Sequence, residues 1–370
     1  MPKITHLTSV HTRYDTRIFF KQCLSLGSKY PVSLIVSDEL DSELKDGVEI
    51  INVGQNQGRF NRMFKTTKLI YQKAMELNSD IYHIHDPELI PTGLKLIKQG
   101  KLVIFDAHED LPLQILSKPY LNKFFRIILS KLATLFESYS CRRFSAIVTA
   151  TSTIKDKFLK YNSTCVDINN YPKLSEFESI RQIHNVSNNH NVCYVGGIST
   201  VRGIKEVVQS LELLEGVGLN LAGSFNSKEL EENCKKMLGW AKVKELGFLN
   251  RTQVMDVYKD SIAGLVTLYP IPNYLDALPV KMFEYMAAGI PVISSNIPLW
   301  KKIVEESNAG ICVNPKSPEE IANAILYFVE NKEIATQMGK NGKKAVFEIY
   351  NWQIEEQKLF ALYEELLGIK

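Results

Sequence analysis

No stretch of the 370-residue chain holds about 18 consecutive apolar residues, so no helix is expected to span a membrane. Cysteine is sparse and scattered. The six residues at 23, 141, 165, 193, 234 and 312 include no C-x-x-C pair. Such spacing argues against a disulfide framework or a zinc site and for a reducing compartment. Repeats and low-complexity tracts are absent, and the opening MPKITHLTSV is too short an apolar run to be expected as a secretory leader. Charge of either sign is nearly balanced, at a net +3, but it is unevenly placed. Residues 1–175 hold 24 Lys and Arg against 17 Asp and Glu, whereas the remainder holds 20 against 24. A basic first half suits an anionic partner such as phosphate or a membrane surface. No nucleic-acid-binding motif accompanies it, so a nucleic acid is not expected.

What is present is the composition of a globular protein, 45% hydrophobic and 23% charged, at a length that favours two domains. Short apolar runs alternate with helical patterns from Ile4 onward. This is the signature of an α/β protein whose parallel sheets are covered on both faces. One set of strands runs through residues 1–170. Residues 171–190 are polar, lack periodicity and read as a linker. A second alternating set fills 191–350, and a last helix, 351–370, is expected to complete the first domain. Two successive doubly wound halves place ligand sites at the carboxyl ends of their strands. If the halves face one another, the cleft between them is the default active site.

Within the second half, Asn273–Pro291 reads NYLDALPVKMFEYMAAGIP. Val280, Phe283, Met286 and Ala287 recur at helical spacing. Gly289 is placed to stop that helix in a left-handed conformation, with Pro291 barring continuation. Asp276, Lys281 and Glu284 crowd its N-terminus, where free N–H groups beside a lysine suit a phosphate and the acids suit sugar hydroxyls. The same pattern also describes a solvated helix start. Upstream, CYVGGISTVRGI ends a buried strand in Gly196-Gly197 and starts a helix after Arg202. Glycines let backbone N–H groups approach an anion, and Arg202 can fork onto phosphate oxygens. Tyr120–Phe144 is apolar at helical spacing, with Lys123, Arg126, Lys131, Arg142 and Arg143 as its cations. A basic amphipathic helix can lie on an anionic bilayer. The pattern equally suits a helix packed on a core with a solvated basic side.

YVGGISTVRGI, ELGFLNRTQVMDVYKDS and DALPVKMFEYMAAGIPVISS, in that order and spacing, resemble retaining glycosyltransferases of family 4. ITHLTSVHTRYDTRIFFKQ, HIHDPELIP and FDAHEDLP look like the first domain of a bacterial subgroup that builds surface polysaccharides. The resemblance implies a GT-B fold, two facing Rossmann-like domains. It implies that Glu284, second acid of an E-x7-E motif, holds the donor's ribose, and that Asp276, a shorter acid in the first position, contacts the donor sugar. Gly196, Gly197, Arg202 and Lys281 fall at the diphosphate site. Gly197 stands where the family often has arginine, so Lys281 is a candidate source of the missing charge. Gly247, Phe248 and Leu249 match the segment lining the base. His108 matches a histidine beside the reacting sugar. Arg13, Arg17 and Asp86 fall on the acceptor or phosphate side.

No metal or other cofactor is expected: the second half has no Asp-x-Asp motif, and His83-x-His85 lacks a third ligand nearby in sequence. The resemblance implies retaining transfer from a nucleotide-sugar, a UDP-sugar, to a glycan or polyprenyl-diphosphate-linked saccharide. The expected location is cytoplasmic, at the inner face of the cytoplasmic membrane through residues 120–144. Two alternatives stay open: a UDP-sugar epimerase on the same plan, and a degenerate transferase serving as a binding subunit.

Overall fold

A computed structural model describes residues 1–55, 58–116, 122–178 and 190–369. The chain divides into two units, Met1–Asn170 with Ile354–Lys370, and Tyr171–Gln353.

The first unit is built on β1 (Ile4–Leu7), β2 (Val32–Val36), β3 (Glu43–Lys45), β4 (Val48–Asn52), β5 (Ile81–Ile84), β6 (Leu102–Ala107), β7 (Ala146–Thr149) and β8 (Cys165–Asp167). Their order in the sheet is β3-β4-β2-β1-β5-β6-β7-β8. All neighbours are parallel except β3 and β4. β1, β5 and β7 are buried along their whole length, which is why they read as unbroken runs and not as alternating patterns. The edge strands β3 and β8 were not expected. Each is three residues long, and an edge needs little apolar surface.

The second unit holds β9 (Val192–Val195), β10 (Leu219–Ala222), β11 (Val243–Gly247), β12 (Ala263–Val266), β13 (Val292–Ser295) and β14 (Gly310–Val313). They form one parallel sheet in the order β11-β10-β9-β12-β13-β14. One apolar cluster gathers around Phe283 and Trp300, another around Val208 and Phe328. In each sheet the first strand in sequence lies between neighbours reached in opposite directions, β2 and β5 around β1, β10 and β12 around β9. These are the topological switch points where strand ends leave a crevice.

Three local results matter for the sites. The first corrects the expected linker, 171–190. Tyr171 and Phe177 are buried in the second unit, and Tyr171 meets Phe283 edge-on at 4.7 Å. Two aromatics in a polar stretch supply enough apolar surface to anchor it. Residues 179–189 of that stretch lie outside the described residues. Second, the final helix, Trp352–Leu367, returns most of its length to the first unit. There the Tyr363 hydroxyl pairs with His83 Nδ1 at 2.8 Å, and Glu355 accepts the Asn169 N–H at 2.7 Å. Third, the helix Lys123–Cys141 is turned inside out. Its buried residues are Ser130, Glu137, Ser140 and Cys141. Phe124, Phe125, Leu132 and Leu135 are 57–69% exposed. Ser130 donates to the Pro112 carbonyl and Glu137 pairs with Lys157, so the small polar stripe is the docked one. The apolar stripe therefore does not pack on a core. Tyr120 and Leu121, from the same expected helix, lie outside the described residues.

Candidate functional site

In the second unit, β9 delivers Gly196-Gly197 to the switch point, and a single turn, Thr200–Arg202, leads into the helix Ile204–Glu212. Arg202 folds back over the glycines. Its Nη1 donates to the Gly197 carbonyl at 2.9 Å, and the Tyr194 hydroxyl donates to the same oxygen at 2.9 Å. A Cβ on residue 197 would stand 3.0 Å from Nη1 and 3.6 Å from Cζ. The guanidinium thus fills space that a side chain at 197 would need.

Lys281 reaches the same place from the helix Val280–Ala288. Its Nζ sits 3.4 Å from the centre of the Tyr194 ring. The nitrogen is buried and has no hydrogen-bond partner. Burial, reinforced by the Arg202 charge, holds its pKa well below the ordinary lysine value. A buried amine facing only a ring and a second cation lacks an anion. The helix itself is buried all round from Met282 to Ala288, and Gly289 closes it at φ 80° as the sequence implies.

Glu284, one turn on, is 8% exposed. Its Oε1 accepts from Arg251 Nη1 at 2.7 Å, and its Oε2 accepts from the Tyr258 hydroxyl at 2.9 Å. Arg251 also pairs with Glu176. Burial works against the Arg251 cation, yet these two carboxylates hold its pKa above the usual arginine value. Sequence spacing gave Arg251 no role beyond starting the helix Arg251–Lys259; Glu284, 33 residues away, is its partner. Asp276 is exposed, in the loop after the short helix Pro272–Leu275, and that loop is pinned by Trp300 Nε1 donating to the Ala277 carbonyl at 2.6 Å. At the end of β11, the Gly247 carbonyl accepts from the Gly223 N–H at 2.7 Å, Leu249 packs on the core, and Phe248 stands 87% exposed.

In the first unit, parallel register sets His6 of β1 beside His83 of β5. His6 Nδ1 and His85 Nε2 are 2.8 Å apart. Asp106, at the end of β6, is the hub. Its carboxylate accepts Arg17 Nε at 3.0 Å, Arg17 Nη2 at 2.8 Å and Gln22 Nε2 at 2.8 Å, and faces His85 and His108, each at 3.4 Å. Burial alone would raise its pKa; Arg17 and His108 hold it well below the carboxylate range. Burial pushes His85 down to about 3. His6, His83 and His85 bring nitrogens within 4.8 Å of one another, as do His85 and His108 with an oxygen of Asp106. The first three rings lie at 15–35° to one another with centroids 4.6–5.1 Å apart, and Nε2 of His6 and of His83 are buried with no hydrogen-bond partner among the described residues. His108, His11, Asp86 and Glu109 line a cavity of about 270 Å³ beside this cluster.

Two expected residues change role. Arg17 is 4% exposed and spends its guanidinium on Asp106 and the Ile168 carbonyl. Arg13, also 4% exposed, is held by Asp38, Glu43 and the carbonyls of Leu40 and Asp41. Neither guanidinium is available to a phosphate. Asp86 accepts from the Thr8 hydroxyl and the Ser9 N–H at 2.8 and 2.6 Å, so it orders the loop after β1, while its other oxygen faces His11 Nε2 at 3.5 Å.

The family model for glycosyl transferases group 1 matches residues 176–345. The second unit is a group 1 glycosyl transferase domain. An uncharacterized glycosyltransferase of Methanocaldococcus jannaschii is 28% identical over 48% of this chain and 46% of its own length. One from Haemophilus influenzae is 22% identical over 86% of this chain and 91% of its own. That protein apart, the chain spans about half the length of the first curated relatives it matches. Among solved structures, sucrose-phosphate synthase from Thermosynechococcus elongatus superposes at a TM-score of 0.80, with 17% identity and all of both chains covered. Anabaena HepE in complex with UDP-glucose superposes at 0.70, with 16% identity over 98% of this chain and 99% of that one. The group 1 domain here thus sits in a GT-B fold, with two parallel-sheet α/β units.

Proposed function

We propose that this chain transfers a sugar from a UDP-sugar, with retention at the anomeric carbon and without a metal ion, to a saccharide acceptor in surface-polysaccharide assembly. The observation that carries the reading is the pair of cations over Gly196-Gly197, Arg202 and the partnerless Lys281, inside a group 1 domain. Cations fixed in place before the reaction stabilise the charge that develops on a departing diphosphate, and they need no reorganisation to do so. Glu284 takes the ribose, Asp276 the donor sugar, Gly247 and Leu249 the edge of the base, and Phe248 its face. His108, at the mouth of the first unit's cavity, takes an acceptor hydroxyl. No side chain is assigned as general base; the leaving phosphate removes the acceptor's proton on the attacked face.

The acceptor is a lipid-linked saccharide, reached where Lys123–Cys141 lies on an anionic membrane. Its outward Phe124, Phe125, Leu132 and Leu135, flanked by Lys123, Arg126 and Lys131, support this. Co-sedimentation with anionic vesicles should fall sharply in Phe124→Ser/Leu135→Ser; equal sedimentation of both proteins would remove the membrane from the reading. For the reaction, UDP release from a panel of UDP-sugars should rise on adding saccharide acceptors, survive chelator, and give product of unchanged anomeric configuration by NMR. Conversion of the donor to an epimer with no acceptor present would assign an epimerase instead. Intact polymer synthesis in Glu284→Ala would assign a non-catalytic subunit.

A further inference from the structure

The environment of Lys281 carries more than a place in the donor site. Its amine is buried without a hydrogen-bond partner, beside groups that do not neutralise it. β9 contributes the Tyr194 ring at 3.4 Å and the Cys193 thiol. The turn Thr200–Arg202 contributes a guanidinium, which the Gly197 carbonyl holds in place. The carboxylate nearest along its own helix, Glu284, is taken by Arg251 and Tyr258. Lys281 forms no ion pair among the described residues. Two full positive charges packed this closely, one of them desolvated, are unfavourable until an anion joins them.

We propose that Lys281 stands in the empty site as a neutral amine and takes up one proton from solvent when a diphosphate docks against Arg202 and Gly196-Gly197. This rests on the reading of the site as a nucleoside diphosphate site. The step is an acid–base one: the amine lone pair binds a proton that the buffer gives up, and the ammonium formed pairs with the arriving phosphate. Site and ligand thereby acquire matching charge together. Burial and the Arg202 charge, which depress the basicity of Lys281, are what keep the proton off beforehand. Arg202 remains charged throughout, so the site attracts an anion by one cation and seals it with a second. Proton uptake on binding means that affinity falls as pH rises, by up to about tenfold per unit, between the lowered pKa of the free amine and its restored value in the complex.

The test is calorimetry on the full chain with UDP and with inorganic pyrophosphate as probes. Titrations are run at pH 8 in two buffers of different ionisation enthalpy. The terminal phosphate of UDP, with a second pKa of about 6, is already ionised there, so protons taken up with UDP belong to the protein, whereas pyrophosphate still carries its last proton and is read by comparison with Lys281→Met. The wild type should take up close to one proton with UDP, and with pyrophosphate, which can release its own, close to one proton more than Lys281→Met does. Lys281→Met should bind more weakly, by about 10–100-fold, with no uptake and a flat pH profile. Its melting temperature should not fall, because an uncompensated buried amine has been replaced by an apolar chain of similar length. Lys281→Arg, charged at all working pH values, should bind with no uptake and hold its affinity as pH rises. Wild-type binding without proton uptake, or uptake that persists in Lys281→Met, overturns the proposal, as does failure of folded wild type to bind pyrophosphate. That one-proton difference with pyrophosphate, and no binding of UDP, would leave the proposal standing and sink the nucleotide reading.

Discussion

Replacing Arg17 by methionine separates a structural arginine from a ligand-binding one. The guanidinium makes two hydrogen bonds to Asp106, at 3.0 and 2.8 Å, and a third to the Ile168 carbonyl. Asp106 is completely buried. Methionine fills the space but leaves that carboxylate facing Gln22 and two histidines, one of them held neutral by burial. Breaking a buried pair by removing one partner costs about 3–5 kcal/mol, because the other charge stays buried. For a unit of this size that corresponds to a fall in melting temperature of roughly 6–20 °C. The pH dependence follows from Asp106. Its pKa is depressed in the folded state, so its contribution is fully present above the unfolded value of about 3.9 and is lost as pH falls below it. Arg17→Met should therefore melt early at pH 7, and the gap to wild type should narrow as pH is taken below about 4. The assay is differential scanning calorimetry across that range, with UDP titrated in parallel. UDP affinity should be unchanged, since Arg17 and the diphosphate site belong to different units. A variant that melts like wild type while losing affinity for donor or acceptor would refute the assignment and restore Arg17 as a ligand.

Glu284→Gln keeps a side chain that can still accept from Tyr258 but removes the charge facing Arg251, so turnover should fall by at least tenfold while the melt shifts by only a few degrees; unchanged steady-state rates would remove Glu284 from the donor site. Phe248→Ala deletes an aromatic that is 87% exposed and supports nothing, so stability should be untouched. Donor affinity should nevertheless weaken by about tenfold, since a base stacked on an aromatic ring contributes about 1–3 kcal/mol. An equal effect on pyrophosphate binding would show that the ring does not meet the base.

The elements of this fold were largely legible because parallel strands and their covering helices announce themselves locally. Runs such as AGLV at β12, bracketed by polar turns, have one stable use. The helix Pro298–Glu306 follows from Pro298 at its start and an apolar stripe through Trp300, Ile303 and Val304. The side-chain roles that stayed hidden all depend on distant partners. Nothing near Arg17 indicates that Asp106, 89 residues on, will claim it. His83-x-His85 lacks a third histidine in sequence, yet the register of β1 against β5 supplies His6. The helix Lys123–Cys141 was legible as a helix, but which side it docks was not. Periodicity identifies a stripe but not the side that faces inward, and here Ser130, Glu137, Ser140 and Cys141 are docked. That Glu284 and Lys281 are neighbours was legible because both lie on one short helix with a fixed start and stop, so their spacing alone places them on adjoining turns.

Gly197, at a position where the family resemblance leads arginine to be expected, makes room for its neighbours. The guanidinium of Arg202 lies where a Cβ at 197 would come within 3.0 Å of Nη1, so residue 197 and Arg202 cannot both place a long side chain there. Glycine gives the space to Arg202, and the second cation arrives from Lys281 on another element. The two arrangements hold the same charge in different places, which makes a relocation experiment decisive. Gly197→Arg alone sets a second permanent cation beside Arg202 and the buried Lys281 amine, and displaces Arg202. It should weaken UDP binding and lower the melting temperature. In Gly197→Arg/Lys281→Met the site holds two cations, as the wild type does once a diphosphate has docked, and the buried amine is gone. The double variant should then bind UDP more tightly than Lys281→Met alone, a coupling that two independent sites would not show. Additive losses would mean that Gly197 serves only the backbone turn, and that Lys281 is not the charge standing in for an arginine.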